Sequence, residues 1–231
     1  MKIASFYNFV FIAGLVVLIG ALMVDLPFAH GPMQTGQAIL AQGPQATGAA
    51  NSVTAVVLAY RGLDTLGELT ILFIAATAAG LVMGKAKAQN LLAPGGFILR
   101  VTADLLFPFL LLLGMYIILH GHLTPGGGFQ GGVILAIAFF LPLLSGSNSA
   151  INEKLISSLE GLAGGAFIAI GLLSLLKQEA FLTPLLGKGH LGDLFSAGSL
   201  PILYLAVGLK VGSEMAGLMS NMLHEQEQTD V

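Results

Sequence analysis

Apolar residues fall along this chain in six long blocks, separated by short stretches of glycine, proline and polar side chains. The blocks cover residues 6–26, 66–83, 97–120, 127–144, 155–176 and 194–211. A helix that crosses a hydrocarbon core needs about 20 residues. The fourth and sixth blocks are short, a mismatch that neighbouring helices can cover. The pattern predicts an all-α, polytopic membrane protein with about six transmembrane helices. The second span is expected inside a longer helical stretch that begins near Val53.

The polar stretches between the blocks set an expected topology. Lys2 ahead of the first block resembles the start of a signal peptide. The apolar run is long for a signal, and no clear small-x-small site follows closely, so an uncleaved helix is expected. With the N-terminus inside, the cytoplasmic side receives Lys2, Lys85, Lys87, Arg100, Lys154 and Lys210, and the outer side Lys177 and Lys188. Lysine and arginine favour the cytoplasmic side, which predicts that both termini are cytoplasmic. Residues 27–45 carry no charge and are rich in Gly, Gln and Pro, the signature of an outer loop. The acidic tail after Met222 is expected to fray. A seam at 85–96, with the turn Pro94-Gly95-Gly96, suggests two units, 1–90 with two helices and 91–231 with four.

Composition agrees with burial in lipid. Hydrophobic residues make up 55% of the chain and charged residues 9%, against about 25% charged in a soluble domain. Cysteine is absent, which removes disulfides, thiolate metal sites and thiol nucleophiles. Trp is also absent, so interfacial anchoring falls to Tyr, Phe and Lys. The net charge of −3, without a basic cluster, gives no sign of nucleic-acid binding.

Two constellations carry candidate chemistry. The first is Tyr60-Arg61-Gly62-Leu63-Asp64-Thr65-Leu66-Gly67-Glu68. On a helix Asp64 and Glu68 share a face, and Arg61 lies three residues before Asp64. Glu68 opens an apolar run, where a carboxylate is costly unless it meets protein, a water cavity or a partner charge. Such a group can hold Na+ or exchange a proton; it can equally belong to an interfacial ion cluster at a helix start. Two intrahelical ion pairs are expected near cytoplasmic ends from i,i+4 spacing, Arg100 with Asp104 and Lys210 with Glu214, with charge neutralisation as the simple role of each; Asp104 is the deeper of the carboxylates and can instead face a partner. Glu160 marks the cytoplasmic edge of the fifth span.

The second constellation is His120-Gly121-His122-Leu123-Thr124-Pro125-Gly126-Gly127-Gly128-Phe129-Gln130-Gly131-Gly132. Pro125 ends a helix, and the glycines permit a tight corner. Gly127-x-x-x-Gly131 and Gly128-x-x-x-Gly132 suit close helix contact, as does Gly161-x-x-x-Gly165 in the fifth span. His120 and His122 read as interfacial residues or as a proton relay at the outer mouth. Two His without a third ligand nearby do not make a metal site, and phosphate binding lacks the Lys-Ser/Thr that should follow the glycines. No catalytic triad, zinc-protease or nucleotide motif occurs, so the chain is expected to be non-catalytic.

These motifs carry a family resemblance. The run from Leu119 to Gly132, and the later Phe195-Ser196-Ala197-Gly198 with Leu205-Ala206-Val207-Gly208-Leu209-Lys210, resemble the MnhB-type subunit of the Mrp/Mnh multisubunit cation/proton antiporters over most of 97–213. Asn51-Ser52-Val53-Thr54-Ala55-Val56 and the Tyr60–Glu68 run resemble the C-terminal part of the large A-type subunit of those antiporters, or the small separate subunit of Mrp-derived hydrogenases, over roughly 50–84. Where family members often have an acidic residue, Ala59 stands here.

The resemblance implies a fusion of these two pieces and a role for Glu68 in ion transfer. It implies that Pro125 and Phe129 shape the path near the small subunits, that no redox cofactor sits in the chain, and that Na+ is a transported ion. It implies partners: other Mrp-type subunits, with a hydrogenase- or dehydrogenase-like redox arm in some complexes, in a cytoplasmic membrane. A structural subunit without an ion path is the main alternative; a self-sufficient transporter is weaker, since no internal repeat is visible.

Overall fold

The structure, a computed structural model, describes residues 2–25, 34–83, 95–146 and 153–229. Among them all regular structure is helical: α1 (Lys2–Asp25), α2 (Gln34–Thr47), α3 (Ser52–Thr54), a π-helical segment (Ala55–Tyr60), α4 (Gly62–Met83), α5 (Phe97–Leu119), α6 (Gly128–Leu144), α7 (Glu153–Leu176) and α8 (Leu200–Thr229). Four helices are long and apolar enough to cross a membrane: Gly62–Met83, Phe97–Leu119, Ile156–Leu176 and Leu200–Met222. Phe9–Val24 and Gly128–Leu144 are shorter apolar helices. The chain forms two compact units, 1–38 and 39–231. In the first, the side chains of α1 from Phe9 onward are mostly exposed.

In the larger unit α8 is the hub. α4, α5, α6 and α7 all touch it, and α5 also packs along α6. The seam between α5, α6 and α8 is built on missing side chains. A Cβ on Gly128 would stand 2.6 Å from the Cβ of Val207, and one on Gly132 2.8 Å from the carbonyl of Gly208. A Cβ on Gly131 would meet the carbonyl of Gly114 at 2.7 Å. The two glycine registers of α6 thus serve two helices, Gly128 and Gly132 facing α8 and Gly131 facing α5. Between helices in lipid no hydrophobic drive remains, so this close backbone approach supplies the packing energy. Ile118, Leu135, Leu203, Val207 and Val211 fill the core around it.

Several sequence expectations change. The uncharged stretch expected to be an outer loop holds α2 from Gln34; Ala38, Ile39, Leu40 and Ala41 are good helix formers. Gly48 ends that region at φ +77°, where a Cβ would press on the carbonyl of Lys188 at 2.8 Å.

The last span begins at Leu200, not 194, and runs to Met222. Ala197 (φ +65°) and Gly198 (φ +60°) break any earlier helix. Pro201 therefore occupies the second helical position, where its missing N–H costs nothing. Helix continues to Thr229 where fraying was expected. Among the described residues none lies within 4 Å of a Cβ on Gly161 or Gly165, so a packing face there would serve something other than those residues; the close-packed glycines of α7 are Gly164 against Lys210 and Gly171 against Phe181. The seam with Lys85 and Lys87 lies outside the described residues, apart from Gly95 and Gly96, as do the side chains of Lys2 and Lys154.

Candidate functional site

The glycine corner is locked to the segment before α4. Asn51 caps α3 by accepting from the Val53 amide at 3.0 Å. Its side-chain amide donates to the carbonyls of Gly121 and Thr124, each at 2.9 Å. The Asn51 amide donates to the His122 carbonyl at 3.0 Å. The Thr54 hydroxyl donates to the Gly121 carbonyl at 2.5 Å and receives the Tyr204 hydroxyl at 2.7 Å. The ring of Tyr204 lies where a Cβ on Gly127 would be, and Gly127 sits at φ +144°, so glycine is required twice over. This latch joins α8, the α5–α6 corner and the π-helical segment. Next to that segment, Thr65 donates its hydroxyl to the carbonyl of Val57 at 2.7 Å. It satisfies an acceptor where the helix widens into π geometry.

The two histidines separate. His120 is half-buried, stacks on Tyr116 at 4.1 Å and meets the Tyr116 carbonyl at 3.0 Å. His122 is fully buried. Its Nε2 lies 3.4 Å from the Asp193 carbonyl, and its Nδ1 has no partner. Burial pushes the imidazole below its ordinary value; the backbone at Asp193 and Leu194 opposes this, and the neighbouring His120 adds slightly to it. Pro125 and Gln130 are exposed, and Gly126 is half-buried on the same corner. Phe129 packs against the core.

Along α4, Arg61 donates through Nε to Asp64 at 2.6 Å, the pair predicted from their spacing. Both are exposed. Glu68 is exposed one turn further along. Asp104 on α5 is exposed too, and the expected Arg100–Asp104 pair does not form. Among the described residues no hydrogen bond or ion pair reaches Glu68 or Asp104. Both carboxylates stand on largely apolar helices, on faces that the described residues leave exposed.

A third group was not assembled by sequence reasoning. Lys210 stands ten residues after Leu200 and twelve before Met222, at mid-span instead of at a cytoplasmic end. That is roughly 15 Å from the start of the span and roughly 18 Å from its end at ~1.5 Å per residue. Its Nζ donates to Glu160 of α7 at 3.0 Å and lies 3.2 Å from Oε2 of Glu214. The same ammonium stands 4.7 Å from the centroid of the Phe73 ring on α4, a cation–π contact. Glu214 is 4% exposed. Close as Lys210 is, the approach lacks hydrogen-bond geometry, and both Glu214 oxygens are left without a hydrogen bond. The Lys210–Glu214 spacing was visible in the sequence; the partner fifty residues away was not.

Residues 98–217, more than half of the chain, match the domain related to the MnhB subunit of Na+/H+ antiporter. An uncharacterized protein of Methanocaldococcus jannaschii is 33% identical over 196 residues, 73% of this chain and 74% of that one. A probable K+/H+ antiporter protein of Rhizobium meliloti, a combined A/B subunit, is 30% identical over 134 residues, 47% of this chain and 13% of that one.

Among solved structures, a chain of the membrane-bound sulfane sulfur reductase, an archaeal respiratory membrane complex, superposes with TM-score 0.77 and 41% identity, covering 94% of this chain and 98% of that one. A chain of the Mrp complex of Dietzia sp. DQ12-45-1b shares the fold, with TM-score 0.70, 24% identity and coverage of 93% and 26%. With its glycine corner, α6, α7 and most of α5 and α8 inside the matched region, this chain belongs to the family of the MnhB-related domain of Na+/H+ antiporters.

Proposed function

We propose that this chain is a membrane component of an antiporter-type complex, and that it contributes to coupled Na+/H+ translocation where Glu68 meets a neighbouring subunit. The observation that carries this reading is an exposed carboxylate, Glu68, without a partner among the described residues, near the start of an apolar helix. In hydrocarbon such a group would neutralise or seek a counter-charge. A neighbouring subunit provides that environment, and an ion path between subunits needs carboxylates on uncovered faces. Asp104 is the matching group on α5. Arg61, paired with Asp64, sets the local charge beside Glu68.

The finer reading has six spans, adding Phe9–Val24 and Gly128–Leu144 to the four long helices, with both termini in the cytoplasm of a cell whose cytoplasmic membrane holds the complex. It joins a front piece like the end of the large A-type subunit to an MnhB-type back piece. Support for the front piece comes from the similarity to a relative named as a combined A/B antiporter protein and from the Asn51 and Thr54 bonds that tie the pieces together. Partners are other Mrp-type subunits and, by similarity to the sulfane sulfur reductase complex, a redox arm. The chain itself is read as non-catalytic, with Na+ as cargo.

Neutralising Glu68 tests the reading. Glu68→Gln should leave the complex assembled and abolish Na+-dependent proton movement in membrane vesicles. Normal transport with an intact complex would favour the alternative, a structural subunit, which the glycine seam supports.

A further inference from the structure

Lys210 at the middle of the α8 span, Glu214 one turn further along it and Glu160, four residues into the α7 span, combine one ammonium with two carboxylates. Fully ionised, the group carries a net negative charge inside the membrane. Such a charge is expensive, and a partial pairing does not remove the cost. Lys210 satisfies Glu160 with a hydrogen bond and holds Glu214 Oε2 by an ion pair alone, so both Glu214 oxygens lack a hydrogen bond although the side chain is only 2% exposed. The charged groups acting on Glu214 are Lys210 on its own helix and Glu160 on α7. α6 contains no titratable side chain. The charged groups of α4 and α5, namely Asp64, Glu68, Arg100 and Asp104, are exposed and none bonds to the group.

We infer that Glu214 is a proton-exchange carboxylate, loaded and unloaded inside this chain with Lys210 as its movable counter-charge. Uptake forms one O–H bond on Glu214 and turns the carboxylate into an acid. Lys210 keeps its three protons and its bond to Glu160, and the group becomes neutral. Release returns the proton to water or to a base on an adjoining subunit, and Lys210 is again shared between two carboxylates. Glu160 is the member nearest the chain surface, with its side chain 23% exposed, beside the uncovered Gly161 and Gly165. Na+ is the wrong occupant: it needs several oxygen ligands, and the ammonium already stands between the two carboxylates. A proton needs only one lone pair.

The inference rests on the reading of the chain as part of an ion-moving complex, but its test needs no transport. Infrared difference spectra of the intact reconstituted complex, recorded across pH, should show the carbonyl band of a buried protonated carboxylic acid that is missing in Glu214→Gln. A band unchanged in Glu214→Gln overturns the assignment. Glu160→Gln keeps the Lys210–Glu214 pair, so it decides the matter even where Glu214→Gln does not assemble. With one negative neighbour removed, the band should move by about one pH unit or more. An unmoved band in that variant overturns the inference. Loss of transport in Glu68→Gln with the Glu214 band intact separates the two sites.

Discussion

The intramembrane charges of this chain fall into two regions that solve the same problem in opposite ways. Around α8, Lys210 brings carboxylates from two helices together and hides the group behind Phe73 and Gly164. On α4 and α5, Glu68 and Asp104 are exposed and have no hydrogen bond or ion pair among the described residues. The first region finds its counter-charges within this chain; the second finds none among the described residues. The contrast extends to the glycines. Those of α6 are filled by neighbouring helices, while Gly161 and Gly165 stand open. A chain that closes its own centre and leaves charged and small-residue faces bare is built for assembly.

The largest expected effect breaks the closed region. Gly128→Leu drives a side chain into Val207 and the Tyr204 carbonyl. Overpacking of this kind costs about 1–3 kcal/mol or more, and assembled complex on native gels should be lost. A Cβ on Gly161 meets none of the described residues within 4 Å, so loss of complex in Gly161→Leu would place a partner on α7.

Lys210→Met comes next. It leaves two buried carboxylates without a counter-charge, a change that costs about 3–5 kcal/mol in buried pairs. The melting temperature of the purified complex should fall clearly, whereas Arg61→Met, which breaks an exposed pair, should leave it nearly unchanged.

Tyr204→Phe removes the hydrogen bond to Thr54. About 1 kcal/mol should be lost from the latch, read as faster amide exchange at 51–54.

The smallest effect is a pH response. His122 has its folded value lowered from the ordinary 6.5. Its contribution is therefore complete above about pH 6.5 and is lost as pH falls from there toward the folded value, because the unfolded chain takes up the proton first. Amide exchange around Asp193 should accelerate over that acidic window, and His122→Gln should flatten the response.

The apolar lengths of the chain made four spans and the α5–α6 corner legible, because membrane thickness dictates helix length directly. The Arg61–Asp64 pair was legible as well, since i,i+3 spacing alone brings the two together. The charges around Lys210 were not. Lys210 was read as the cytoplasmic end of a helix because lysine so often marks one, although Val211, Met215, Ala216, Leu218 and Met219 continue the apolar pattern beyond it. The pairing with Glu160 depends on how α7 lies along α8, which no local pattern encodes. α2 was hidden for another reason: Gly, Gln and Pro suggested a loop, while the helix rests on the short run from Ala38 to Ala41 and on the Thr47–Gly43 bond.

The central claim is that the Glu68 face of α4 meets a neighbouring subunit. The protein has no cysteine, so Glu68→Cys introduces a unique thiol. A photoreactive probe attached there in native membranes should cross-link this chain to another antiporter-type protein in high yield. A thiol that forms no protein adduct and reacts freely with a lipid-phase maleimide would show α4 facing lipid, and would contradict the account.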